Sequence, residues 1–362
     1  MENFFNLFKM NGSSHLGVDI GTTTIKIVEV KNGKSKPQII NYGILESSGY
    51  LTRANQALQT SSLKIFEADV IELLKTLINQ MGISTKDVVA SIPSFSAFVT
   101  LLDFPKMSPD ETSKAIQYQA KQYVPLPLSE VALDWMKVGD FNDENGFAHQ
   151  KILLISVPLE QIKKYQRIFT SAGLSLKVLE IESLSLARIF GSDPTPTIVV
   201  DIGSRSTNIV FLENGQLVWN SQSDYASDTL TQNLAKSLSI NPLRAEELKK
   251  ERGLLGTGPN QALSSIMIPF LDLIIDEIQK AQSVYRGQFA SAKKAERLIL
   301  SGSGANLLGI ENYFANRFDC PIVKANSFIN FEYSSEIEPF VKELNPTFSV
   351  ALGLGMKGFS QK

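Results

Sequence analysis

One phrase occurs twice in this chain. LGVDIGTTTIKIVEVKNGK, from Leu16 to Lys34, returns as IVVDIGSRSTNIVFLENGQ, from Ile198 to Gln216, about 180 residues further on, the mark of an internal duplication. Each copy reads as an apolar strand ending in Asp-Ile-Gly, a short polar turn, a second β-branched strand, and an Asn-Gly pair that signals another reversal. A chain that opens each half with the same hairpin has two lobes. Its length agrees, because single cores seldom grow beyond about 250–300 residues. With 362 residues and 43% hydrophobic content, it can fill two.

Between the copies, Val70, Leu73, Leu74, Leu77, Ile78 and Met81 recur at helical spacing, so Phe66 to Met81 reads as a core-facing helix ended by Gly82. Val88 to Ile92 and Phe98 to Phe104 read as strands broken at Pro93. The next helix is specified by rule: Ser108 as N-cap, Pro109 at the first helical position, Glu111 to complete a capping box, and a stop before Pro125. Val131 to Val138 and Ile152 to Val157 read as strands around a polar loop, and Leu159 to Ala172 as a helix. After a helix over Ile181 to Phe190, Asp193-Pro194-Thr195-Pro196 reads as the linker to the second lobe.

In that lobe Leu230 to Leu238, Pro242 to Arg252 and Ile268 to Phe289 read as helices. Leu298 to Ser301 reads as a short strand running into Gly302-Ser303-Gly304, with Leu307 to Arg317 helical behind it. NPTFSVALGLGMKGF reads as a last helix, tightly packed through its small residues, that returns to the first lobe. The expected division is therefore 1–97 and 159–193 for the first lobe, with 344–362 returning to it, and 98–158 for an inserted α+β subdomain. The second lobe takes 194–240 and 296–343, and 241–295 forms its helical subdomain.

Lysine and arginine number 35 against 37 acidic residues, a net charge of −2, so neither nucleic acid nor an anionic membrane surface is an expected partner. The single cysteine, Cys320, excludes a disulfide framework and a multi-cysteine zinc site, and fits a reducing cytoplasm. The longest apolar run, Ile266 to Ile275, is broken by Pro269 and Asp272 and falls short of the roughly 18–20 residues that span a bilayer. The amino-terminal MENFFNLFKM clusters Phe4, Phe5, Leu7 and Phe8 without a basic leader or a cleavage site, and is read as no signal peptide. A membrane or partner contact and an arm folded onto its own domain both stay open for it.

A strand that delivers Asp19 and then turns through Gly21-Thr22-Thr23 offers a carboxylate and, beyond it, backbone N–H groups with no side chain in the way. Such a turn cradles phosphate oxygens. Gly21 admits close approach, Thr22 and Thr23 add hydroxyls, and Lys26 supplies a cation from the following strand. Asp19 suits the water shell of a bound Mg²⁺. Asp201, Gly203 and Ser204 repeat these parts, and the strand–turn–helix at Gly302-Ser303-Gly304 is a third place for a ligand. Either turn alone is also an ordinary hairpin; the ordered set is what points to a triphosphate. No G-x-x-x-x-G-K-[ST] run occurs, which excludes a P-loop.

These motifs, in this order across nearly the whole chain, resemble the phosphate-1, phosphate-2, adenosine and connecting motifs of actin, the Hsp70 chaperones, sugar kinases and FtsA. The resemblance implies a two-lobed, actin-like α/β fold of duplicated ribonuclease H-like halves with an FtsA-type inserted α+β subdomain, and ATP with Mg²⁺ as cofactors. It implies Asp19, Gly21, Thr22, Thr23 and Lys26 on the β- and γ-phosphates, and Asp201, Gly203, Ser204 and Thr207 as the second clamp. The metal would lie near Asp19 and Asp201. Gly302, Ser303 and Gly304 would pack on adenosine. Glu246 and Lys249, in AEELKKERG, would meet purine and ribose, unless that helix is only a solvated charged face. Asp201 and Glu182 are the candidates for a catalytic role, Glu182 aligning with the residue that positions water in bacterial actins. A glutamate opening a helix also simply complements the helix dipole. Arg205, Ser303 and Asn208 depart from the usual residues at their positions, so binding is better supported than turnover.

Within that superfamily, ASIPSFSAFVTLLDFPKMSPDETSKAIQYQAKQYVPLPLSEVALDW and the opening LGVDIGTTTIKIVEV are similar to the PilM family of type IV pilus assembly. That resemblance implies a cytoplasmic ATP-binding scaffold, peripheral to the inner membrane through its partners, with at most weak ATPase activity. It implies a PilN-like cytoplasmic peptide docked in a groove formed with the insertion, around Phe98, Leu101 and Tyr123 unless these are ordinary core. Other pilus platform and motor proteins would be further partners, and a homo-oligomer stays open. Two rival classes remain. An FtsA-like division protein is disfavoured because the chain stops at Lys362 without a basic amphipathic helix. A sugar-kinase-type phosphotransferase lacks an evident substrate site.

Overall fold

The computed structural model describes residues 14–46, 67–143, 145–255, 261–289 and 292–359; the Phe-rich amino-terminal stretch and Phe66 lie outside the described residues. Two five-stranded sheets share one strand order. In the first, β1 (Ser14–Ile20), β2 (Thr24–Lys31) and β3 (Gln38–Glu46) run antiparallel, and β4 (Asp87–Ile92) and β8 (Ser175–Ile181) join in parallel, giving β3-β2-β1-β4-β8. The second uses β9 (Thr197–Ile202), β10 (Thr207–Glu213), β11 (Gln216–Ser223), β12 (Arg297–Ser301) and β13 (Ile322–Lys324) in the matching order β11-β10-β9-β12-β13.

Both copies of the repeated phrase are thus the first two strands of a sheet. These strands are buried on both faces, which is why they read as near-continuous apolar runs. Asn214 and Gly215 take φ of 51° and 74°, the double positive φ of a tight two-residue reversal into β11. The first Asn-Gly, at Asn32-Gly33, instead opens a longer connection to β3.

Between β4 and β8 the chain builds the insertion, with β5 (Phe98–Pro105), β6 (Val131–Asn142) and β7 (Ala148–Pro158) ordered β5-β7-β6. The helix α2 (Pro109–Tyr123), opened by the Ser108–Glu111 capping box, lays Ile116 and Ala120 on one face of that sheet against Leu102, Phe104, Ile152 and Leu154. This is a second, smaller core. Leu101, Leu153 and Ile155, on the other face, join the main core. α3 (Leu159–Ser171) then returns to pack on β8 and on α1 (Glu67–Met81).

Two helices lie between the lobes. α4 (Glu182–Phe190) follows β8 of the first lobe but packs on β10 and β11 of the second. α10 (Ser349–Gly355) follows the second lobe but packs on β1 and β2 of the first. Small residues permit this approach: a Cβ on Gly353 would lie 2.2 Å from Ser185 O, and one on Gly17 would lie 2.3 Å from Ala351 O.

Some helices depart from the expected bounds. α7 (Gln261–Gln288) begins before Ile268 and carries Pro269 inside it, held by full burial of Met267 and Leu271 on either side of the proline. α8 is confined to Ile310–Ala315 because Gly309, with φ of 86°, starts it late. The expected last helix divides at Phe348 into α9 (Glu338–Thr347) and α10. α5 (Ser227–Leu238) and α6 (Pro242–Arg252) pack on each other, and α5 also on α7. Among the described residues no helix is long and apolar enough to cross a membrane.

Candidate functional site

The two repeated turns face each other. Gly21 N–H donates to Thr24 O at 2.9 Å and Gly203 N–H to Ser206 O at 3.0 Å, so both turns close by the same bond. Strand register sets Lys26 opposite Asp19 and Asn208 opposite Asp201. From the adjoining parallel strands, Ser91 reaches Asp19 Oδ1 at 3.5 Å and Ser301 donates to Asp201 Oδ1 at 2.7 Å. The tips of the turns touch, with the Thr23 and Ser204 hydroxyls 2.5 Å apart. Behind them Asn208 Nδ2 donates to Ser94 Oγ at 2.9 Å and to Ser183 Oγ at 3.2 Å, tying the second sheet to β4's end and to α4.

Asp19, Gly21, Thr22, Thr23, Lys26, Glu182, Asp201, Gly203, Ser204, Asn208, Gly302 and Ser303 all line one cleft, whose cavity volume is about 60 Å³. Gly302 takes φ of 80°, and a Cβ there would sit 2.4 Å from Ile202 O, so only glycine lets the end of β12 fold down against the second turn.

Three carboxylates, Asp19, Asp201 and Glu182, share the cleft with the Lys26 ammonium, which lies 3.2 Å from Asp19 Oδ2. Burial alone would lower Lys26, but Asp19, Asp201 and Glu182 outweigh it and hold its pKa above the ordinary lysine range. Burial pushes Asp201 up to about 6, against the opposing pull of the Ser301 hydrogen bond and the Lys26 charge. Burial, reinforced by the charges of Asp19 and Asp201, raises Glu182 well above the usual carboxylate range. The cleft therefore carries a surplus of acid groups that a cation would relieve. Among the described residues no three acidic, histidine or cysteine side chains form a direct metal shell. A divalent ion here would be held through water and ligand oxygens, a mode that suits Mg²⁺.

Other expected residues lie apart from the cleft wall. Thr207 is fully buried and donates to Tyr225 O at 2.8 Å. A Cβ on Gly304 would meet Ile202 Cγ2 at 2.4 Å, so it packs beneath the turn. Lys249 is 5% exposed, not a solvated face; its Nζ contacts Glu246 at 2.6 Å, Ser227 Oγ at 2.7 Å and Thr231 Oγ1 at 2.8 Å, locking α6 to α5. Arg205 is half-buried and off the cleft wall, its pKa lowered by burial and supported by Asp228. Leu101 is core, whereas Phe98 and Tyr123 are exposed. Ser91, Ser94, Ser183 and Ser301 were not singled out from sequence. Only Ser301, directly before the Gly302 turn, carried a signal.

The chain matches the family model described as Type IV pilus assembly protein PilM over residues 17–359. It is 22% identical over 257 residues to the cell division protein FtsA of Enterococcus hirae, covering 66% of this chain and 58% of FtsA, so it spans little more than half of that relative. Among solved structures it is similar to the PilM-PilN type IV pilus biogenesis complex, with a TM-score of 0.78, 21% identity, and coverage of 95% of this chain and 98% of that one. Ethanolamine utilization protein EutJ from Carboxydothermus hydrogenoformans gives 0.56 at 15% identity, covering 98% and 92%. MreB5 of Spiroplasma citri bound to AMPPNP gives 0.51 at 14% identity, covering 95% of each chain. At these identities the likeness establishes the fold, a two-lobed actin-like α/β architecture.

Proposed function

The chain belongs to the type IV pilus assembly protein PilM family, and on that premise we propose that it is an ATP-binding scaffold of the pilus inner-membrane platform that docks the cytoplasmic tail of a PilN-like protein. One observation carries the nucleotide half of this reading: the Asp19 and Asp201 turns line one cleft and meet at the Thr23–Ser204 contact. The partner half is supported by the family and by likeness to a structure in which a PilM is joined to PilN. The AMPPNP held by MreB5 supports the choice of ligand.

In this reading the backbone of Gly21 to Thr23 and of Gly203 to Ser204 cradles the β- and γ-phosphates, and Lys26 offsets their charge. Asp19 and Asp201 hold the water shell of Mg²⁺, which, when bound, supplies the positive charge that the three carboxylates lack. Ligand sites usually measure about 300–1,000 Å³, against about 60 Å³ here. A nucleotide would therefore enter only as the Thr23 and Ser204 hydroxyls part, leaving both free to donate to it. The spacing of the lobes changes with it, and β11, which lies against β5, β6 and β7, carries that change to the insertion and its partners. Glu182 retains its proton to higher pH than an ordinary carboxylate, so tight holding with slow turnover is what the cleft favours. The protein then works at the cytoplasmic face, peripheral to the membrane through PilN-like and other platform proteins.

Calorimetric titration with Mg-ATP, and polarisation of a labelled PilN-like tail peptide with and without saturating Mg-ATP, test both halves. Saturable ATP binding lost in Asp201→Asn, with a tail affinity that moves at least about threefold with nucleotide, is expected; threefold is about 0.7 kcal/mol of coupling, near the low end for allostery. Absence of ATP binding at millimolar nucleotide would remove the first half, and an unmoved tail affinity the coupling.

A further inference from the structure

The amino-terminal MENFFNLFKM, with its Phe4, Phe5, Leu7 and Phe8, is a motif that neither the nucleotide nor the partner half of the proposed function uses. It lies outside the described residues, but the place where it joins them is fixed. Ser14 opens β1, and strand register sets it directly opposite Lys31 at the end of β2. Thr85 Oγ1 donates to Ser14 O at 3.3 Å, which brings Lys86, immediately before β4, to the same end of the sheet. Asp19, at the cleft, lies about 17 Å further along β1, at about 3.3 Å per residue. The amino-terminal residues therefore enter the fold at the end of the strand remote from the nucleotide.

This end of the first sheet is basic. Lys31, Lys34 and Lys36 are all exposed, in the connection from β2 to β3, and Lys86 is exposed beside them. Among the described residues Lys31, Lys34 and Lys86 enter no salt bridge, and Lys36 Nζ donates to a carbonyl, Ile329 O, at 2.7 Å. The nearby acids are already engaged. Glu29 is 2% exposed and accepts from Ser84 N–H at 3.0 Å, and Asp87 is paired with Lys177 at 3.5 Å. Glu332 accepts from Ser35 N–H at 3.2 Å and from Ser35 Oγ at 3.0 Å. The whole-chain charge of −2 averages over this concentration and so is no guide to what this one face attracts.

We propose that the residues before Ser14 and the lysines around it form a single contact with an anionic lipid surface, made by the chain itself in addition to any contact through partner proteins. Stable peripheral binding takes two signals, such as an apolar insertion and a polybasic patch, because one alone holds only marginally. Both are present here and the register joins them. Phenylalanine and leucine side chains bury at the boundary of headgroups and acyl chains, while the lysines draw on the negative potential of the leaflet, which fades within a Debye length of about 10 Å at 0.1 M salt. An arm folded back on its own domain accounts for the apolar residues, but not for their entry beside exposed lysines without counter-charges. A membrane held at this end leaves the nucleotide cleft open at the other.

The test is sedimentation of the full chain with phosphatidylcholine vesicles made with and without phosphatidylglycerol. Binding is expected only to the phosphatidylglycerol vesicles, and it should weaken as salt rises from about 0.1 M to about 1 M and the Debye length shrinks to about 3 Å. Each lysine near such a surface contributes about fivefold, so Lys31→Gln/Lys34→Gln/Lys86→Gln should lose about 100-fold. Lys36 stays in place because it is bonded to Ile329 O. Lys114→Gln/Lys236→Gln/Lys342→Gln removes the same charge from exposed lysines elsewhere and should bind as the unaltered protein does. Phe4→Ser/Phe5→Ser/Phe8→Ser should lose vesicle binding with an unchanged melting temperature. Equal binding to both kinds of vesicle, binding to neither, or equal losses in the two lysine triples would overturn the proposal. A phenylalanine variant that melts lower, or that still binds vesicles, would overturn it too, the lower melting in favour of an arm packed on its own domain.

Discussion

The two copies of the hairpin are built alike and charged differently. Each sets an aspartate opposite one residue of the next strand and beside a serine of the neighbouring parallel strand, Asp19 with Lys26 and Ser91, Asp201 with Asn208 and Ser301. In the first lobe the partner is a cation, and Asp19 is ion-paired at 3.2 Å. In the second the partner is a neutral amide, and burial, offset only in part by the Ser301 hydrogen bond and the Lys26 charge, raises the pKa of Asp201 to about 6. Duplication copied the geometry, and one substitution divided the labour. One turn brings its own counter-charge; the other is left wanting an external cation.

The largest break in this comparison comes from Lys26→Met. It strands Asp19, Asp201 and Glu182 in the cleft without their ammonium, and removing one member of a buried pair typically costs about 3–5 kcal/mol. Urea denaturation should show that loss, and titration calorimetry should show Mg-ATP affinity down by about 100-fold. Asn208→Ala, at the matching position, forfeits hydrogen bonds to Ser94 and Ser183 and should cost only about 1–2 kcal/mol. Comparable losses in both variants would mean that the lobes do not differ as described.

Opposite signs are expected from the two aspartates. Asp19→Asn leaves Lys26 unpaired and should destabilise the ligand-free chain. Asp201→Asn should stabilise it above pH 6, by about 3 kcal/mol at 1.36 kcal/mol per pKa unit. The sign follows from a folded pKa of about 6 against an ordinary value of 3.8. The fold holds this proton more tightly than the unfolded chain does, so its stability falls as pH rises from about 3.8 to 6 and stays lowered above. Denaturation of both variants across that range checks it, and both should lose Mg²⁺-dependent nucleotide binding.

The same group sharpens the comparison through pH. A cation needs Asp201 ionised, so Mg-ATP affinity should drop by up to about tenfold per pH unit below about 6. Calorimetry of the unaltered protein at pH 5, 6 and 7.5 reads the slope. Smallest are the turn glycines. A Cβ on Gly203 would sit 2.8 Å from Ser206 O, and one on Gly21 would sit 3.0 Å from Thr24 O. Gly203→Ala should therefore cost slightly more than Gly21→Ala, each within about 1–3 kcal/mol for overpacking; thermal melts that reverse the order would contradict the assigned spacing.

Much of this was legible in the chain because it was written twice. The duplicated phrase announced two lobes, the capping box at Ser108 and Glu111 marked α2, and aspartate, glycine and hydroxyl residues in one order marked the turns. Boundaries were less readable where packing overrode local preference, as in α7, which runs through Pro269 because Met267 and Leu271 are fully buried. AEELKKERG looked like a charged face, yet Lys249 is buried against α5, a contact set by a helix far enough away in sequence to leave no local trace.

By itself the sequence determined which residues sit at the strand tips, since strand periodicity and turn chemistry act over a few neighbours. It also determined that the halves differ at Lys26 and Asn208. Only the tertiary structure decided that Thr23 meets Ser204 and that Ser94 and Ser183 hold Asn208. Those contacts join residues 25 to 181 positions apart, and burial, the leading cause of the shifts at Asp201 and Glu182, is a property of the packed whole.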